Sequence, residues 1–124
     1  MKPQDLMFGD WVIVYEKAMP VKARVEGVFE RGATVLGRVR IADHGFMEPI
    51  PLTPEILEKN GFEIDFEDGS LIWVDEQDVT EVVWGGTILT IHGANGHLEL
   101  DTCMYVHELQ HALRMCGVDK EITL

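Results

Sequence analysis

The sequence predicts an α+β fold made mostly of antiparallel strands, with two helices. Three observations carry this. The first fifty residues hold β-branched and aromatic runs separated by turn residues. Residues 63–101 place apolar residues at a two-residue period between Gly-, Asp- and Asn-rich turns. Helical spacing of apolar residues occurs only after Thr53 and near the C-terminus. At 124 residues with 46% apolar composition, the chain is expected to form a single domain over 1–124, large enough for its own core.

The N-terminal unit, residues 1–50, is read as small and β-rich. Its strand candidates are residues 11–15, 22–28 and 35–41, divided by Pro20 and by Arg31-Gly32. Three such strands suit a curled sheet or an SH3-like half-barrel, an architecture that names no ligand. A short helix follows over residues 53–60. Thr53 is its N-cap, Pro54 takes the first helical position, and Ile56 and Leu57 face inward. Asn60-Gly61 stops it, with Phe62 folding back.

Residues 63–101 are read as an antiparallel meander. Glu67-Asp68-Gly69, residues 75–78, Gly85-Gly86 and Asn95-Gly96 mark its turns, and Leu71/Trp73, Val79/Val83, Leu89/Ile91 and Leu98/Leu100 its inward positions. The twelve residues from Asp65 to Glu76 have acids at both ends. They are not a calcium loop, because Gly69 and Ser70 stand where that loop needs an oxygen ligand and a glycine. The chain then closes with a helix over 102–116, stopped by Gly117. Tyr105, Val106, Leu109, Ala112, Leu113 and Cys116 form its apolar stripe.

Net charge is −12. Between Glu55 and Glu81 ten carboxylates face one base, Lys59, a field that repels phosphate backbones. Direct nucleic-acid binding is therefore not expected; the charge is read as solubilising rather than as the mark of a dedicated basic partner, and a protein partner of unidentified kind is expected. No apolar run approaches the roughly 20 residues of a membrane span, and the start lacks a signal-peptide stretch, so a cytoplasmic location is expected. Cys103 and Cys116, placed on one helix, would stand about 20 Å apart, too far for a disulfide.

One segment suggests chemistry. His107-Glu108-Leu109-Gln110-His111 matches H-E-x-x-H, in which two histidines one helical turn apart hold zinc and the glutamate acts as general base. The expected face for both histidines is the solvent side, opposite the stripe. The third ligand is missing: a metzincin extension would need Gly at position 114 and His at position 117, where the chain has Arg114 and Gly117. Downstream only Glu121 has reach, apart from Asp119 on the turn. Upstream, His92, His97 and Asp101 would make an unfamiliar site. The match is read as accidental, with no catalytic residue, no metal ligand and no cofactor. The alternative is a zinc-dependent hydrolase or peptidase with Glu108 as base and His107 and His111 as ligands.

Three stretches resemble a family of short uncharacterised proteins of bacterial genomes and mobile elements. They are residues 6–12, with the form L-x-x-G-[ND]-x-V; residues 49–62, PIPLTPEILEKNGF; and residues 105–112, YVHELQHA. The resemblance covers about a quarter of the chain. It carries no assigned activity, and it implies Asn at the position of His111, with His107 or Gln110 in a structural role. The expected function is a non-enzymatic binding or accessory protein.

Overall fold

The computed structural model describes residues 5–29, 32–35, 38–41, 47–77, 79–93 and 96–124. Over the described residues the fold is α+β, with two five-stranded antiparallel sheets and two short helices. The chain divides into two compact units, Met1–Ile50 and Pro51–Leu124.

In the first unit, β1 (Trp11–Glu16), β2 (Met19–Phe29), β3 (Gly32–Val35), β4 (Arg38–Ile41) and β5 (Met47–Pro49) lie in the order β4-β3-β2-β1-β5. The first half of β2 pairs with β1 and its second half with β3, with a register shift between Val25 and Gly27. One long bulged strand thus serves both halves, and the last strand returns to the first. Val12, Val14, Ala23, Val25, Ala33 and Met47 belong to one buried cluster. Each valine removed from water is worth about 1.5–3 kcal/mol, which ties this face to its register.

The strand boundaries differ from the sequence reading. Pro20 lies within β2, opposite Tyr15. It is tolerated because this part of β2 has its other edge unpaired with β3, so the missing N–H costs no ladder bond. The reversal occurs at Lys17-Ala18, both left-handed at φ 51° and 65°, a two-residue connection without the usual Asn-Gly signal. The run 35–41 is two strands, since Val35 pairs with Arg38. Arg31 and Asn95, each half of an expected turn, lie outside the described residues.

In the second unit, helix α1 (Pro54–Lys59) precedes β6 (Glu63–Ile64), β7 (Leu71–Asp75), β8 (Thr80–Trp84), β9 (Leu89–Gly93) and β10 (Gly96–Leu100). These strands form the expected meander, in the order β10-β9-β8-β7-β6. Thr53 Oγ1 accepts from Ile56 N at 3.3 Å. At the other end Gly61, at φ 89°, allows Phe62 N to reach Leu57 O and Gly61 N to reach Glu58 O, a Schellman closure. Leu57 is buried, whereas Ile56 is only half-buried. Asn60 does more than stop the helix. Its Nδ2 donates to Ile56 O and Thr123 O, and its Oδ1 accepts from Thr123 N, which fastens the C-terminal segment.

Strand β8 buries the opposite parity from that expected: Thr80, Val82 and Trp84 point inward. Val79 is left-handed at φ 52° and 77% exposed, so it belongs to the turn, and the strand starts one residue later. Leu89 and Ile91 are buried as expected. Helix α2 (Val106–Met115) is shorter than 102–116 at both ends. Residues 103–105 cannot be helical because their backbone is engaged elsewhere. Cys103 N donates to Thr87 O, Cys103 O accepts from Trp84 Nε1, Met104 O accepts from Leu52 N, and Tyr105 bridges Pro51. No helix among the described residues is long and apolar enough to cross a membrane.

Candidate functional site

The H-E-x-x-H segment occupies the first turn and a half of α2. Tyr105 is the N-cap, with extended backbone, and its side chain makes no capping bond. Glu108, at the third helical position, supplies the cap instead. Its Oε1 accepts from Met104 N at 3.0 Å and from Tyr105 N at 3.1 Å. Free N–H groups at a helix start require such an acceptor, and a carboxylate also suits the positive end of the helix dipole. At the far end Gly117, at φ 68°, lets Val118 N reach Leu113 O, closing α2 as Gly61 closes α1.

The face assignment of the sequence reading is corrected here. His107 is buried, together with Val106, Leu109, Gln110, Ala112 and Leu113, while Tyr105 is exposed and Cys116 half-buried. The buried arc is therefore wider than the apolar stripe and takes in two polar side chains. Tyr105 stacks on His107 with ring centroids 5.9 Å apart, and His111 meets it edge-on at 5.5 Å. His111 and Glu108 are half-buried. A zincin helix needs both imidazoles and the glutamate turned toward one open cleft. Here His107 is turned inward and the carboxylate holds two backbone amides.

The upstream donors do not join this helix. His92 and His97 face each other across β9 and β10, their Nδ1 atoms 2.9 Å apart. Asp101 is exposed beyond the end of β10. Among the described residues, no three His, Cys, Asp or Glu side chains are grouped to hold a metal ion. Cys103 is buried, and its thiol is pushed up to about 12 by burial and, second, by the nearby Glu108 charge. A thiol so protonated is a packing group and not a nucleophile. Both cysteines are free.

A second feature lies at the other edge of the sheet. Gly61, Glu63, Ile64, Asp65, Ile72, Trp73, Val74 and Glu76 line a groove of about 480 Å³. Three carboxylates thus line the groove, and Glu63, paired with Ile72, lies on the face of the sheet opposite the Trp73 side chain. The Lys120 ammonium already rests over the Trp73 ring, 4.6 Å from its centroid, and burial lowers the Lys120 pKa. A Cβ at Gly61 would make only ordinary contact with the Trp73 ring, at 3.8 Å, so the φ of 89° and not size calls for glycine there. The turn beside the groove is closed by side-chain bonds. Asp65 Oδ1 accepts from Glu67 N, and Asp68 Oδ1 accepts from both Ser70 N and Ser70 Oγ. Those bonds to Ser70 also hold the Asp68 carboxyl below its usual range. Phe66, at the tip of this turn, is 97% exposed. The sequence reading found the acidic charge here but missed the groove, whose signal was Trp73 lying among acids on either side of a tight turn. The chain matches no family model, no curated protein and no solved structure.

Proposed function

We propose that this chain is a small, non-enzymatic binding module whose second unit takes a basic segment of a protein partner. The observation that carries the reading is the groove at β6 and β7, which Glu63, Asp65 and Glu76 line together with Trp73. An indole face attracts ammonium and guanidinium groups, and the adjacent carboxylates add charge complementarity. Lys120 on Trp73 is an intramolecular instance of that contact. The exposed Phe66 ring supplies an apolar anchor beside the charges. A cytoplasmic setting is part of this reading, as is the lack of direct nucleic-acid binding, which follows from the net charge of −12. The zinc-hydrolase alternative has less support, because Glu108 is engaged as the α2 cap.

The test is calorimetric titration with a Lys/Arg-rich peptide and with an acidic control of equal length. Saturable binding of the basic peptide alone is expected, weakening with salt as screening closes to about 10 Å at 0.1 M. Trp73→Ala and the combined Glu63→Gln, Asp65→Asn and Glu76→Gln variant should each lose it. Equal binding by these variants, or none by the native protein at low salt, overturns the reading.

A further inference from the structure

The β9–β10 hairpin places two imidazoles side by side on the solvent face of the sheet. His92 and His97 are directly opposed in register, and their ring centroids are 4.3 Å apart. The two nitrogens that meet are both Nδ1, at 2.9 Å, a hydrogen bond in which one Nδ1 carries the shared proton; that proton moves to Nε2 of the same ring when both Nδ1 atoms bind a metal. Two nitrogens bound to one metal at about 2.0–2.1 Å, with a right angle between the bonds, stand about 2.9 Å apart. A tetrahedral angle would spread them to about 3.3 Å by the same geometry. The spacing lies within a small ring adjustment of either bite, and the affinity order of divalent ions for imidazole sites favours Cu²⁺ and Ni²⁺.

Charge favours a cation at the same place. Glu81 is paired with His92 from the other side, in β8, so its side chain shares the face of the sheet with both imidazoles. Glu99 follows His97 by two residues in β10 and lies on that face too. Both histidines are exposed, so water can fill the remaining positions of the ion.

We propose that the β9–β10 hairpin is a two-histidine chelating site for a divalent late transition-metal ion of tetragonal preference, Cu²⁺ or Ni²⁺, held through the Nδ1 atoms of His92 and His97. The site is separate from the histidines of α2 and independent of the groove. Bridging two strands, the ion pins the register of the hairpin.

The probe is Cu²⁺ alone, added to the untagged full chain. Electron paramagnetic resonance should show one tetragonal ion per chain with imidazole nitrogen couplings. Substoichiometric Cu²⁺ should broaden the ring protons of His92 and His97 in the NMR spectrum before those of any other histidine, a readout that needs no variant. His92→Ala and His97→Ala should each abolish the signal, and His111→Ala should keep it. Three results overturn the proposal. One is no saturable binding. Another is equal binding by the double variant His92→Ala/His97→Ala, which would mean an adventitious ion only. The third is broadening that appears first at His107 or His111.

Discussion

The two histidine pairs of the second unit reverse what their sequence spacing suggests. His107 and His111 are one helical turn apart within a catalytic-looking motif, yet one of them is buried and the glutamate between them caps the helix. His92 and His97 stand in no recognised motif, yet the hairpin brings their ring nitrogens to 2.9 Å on an open surface. A motif specifies which residues share a face of a helix. It does not specify whether that face looks at solvent or at the core, and chemistry depends on the second property.

The largest effect that can break this comparison is on stability. Leu109→Ala should cost about 2–5 kcal/mol, as truncation of a fully buried leucine does. His107→Ala should cost about 1–3 kcal/mol through lost packing, whereas His92→Ala and His97→Ala should stay within about 0.5 kcal/mol. Chemical denaturation of the four variants measures this. A His107 variant as mild as the His97 variant would return the ring to the surface.

A smaller effect separates cap from catalyst at Glu108. Glu108→Ala should lose about 0.5–2 kcal/mol of stability by freeing Met104 N and Tyr105 N. Glu108→Gln should keep most of it, since an amide oxygen still accepts at this position of a capping box. A general base would show the opposite insensitivity, with stability unchanged by either substitution.

At neutral pH the smallest effect is the one on pH dependence, which appears only in alkali. The folded Cys103 thiol titrates at about 12, against an ordinary value of 9.0. Between those values the unfolded chain has released a proton that the folded chain keeps, so stability falls as pH rises from 9.0 toward 12 and is fully present below that window. Cys103→Ala should remove this component of alkaline destabilisation. Glu108→Gln should lessen it, because the Glu108 charge is the second cause of the raised value. Unfolding curves taken across this alkaline range would detect both.

Much of the architecture was legible in the chain itself. The two-residue period of residues 89–91 and the Gly85-Gly86 turn announced the meander, because a half-buried strand must alternate. Thr53, Pro54 and Gly61 announced both ends of α1, because caps answer to local backbone geometry. The failures share a cause. Lys17-Ala18 turns a hairpin without turn-specific residues, and Val79 adopts a left-handed conformation that a β-branched residue rarely takes, so β8 starts one residue later than its pattern suggests. In both places tertiary pairing overrides local preference.

By itself, then, the sequence determined the α+β class, the boundaries set by caps and glycines, and the acidic field between Glu55 and Glu81, because each depends on neighbours in the chain. Folding in three dimensions set the rest: that His107 is buried, that Glu63, Asp65 and Glu76 line one groove with Trp73, and that His92 meets His97. Those facts depend on which surfaces face each other after folding. Local spacing restricts that choice, and the burial of apolar area makes it.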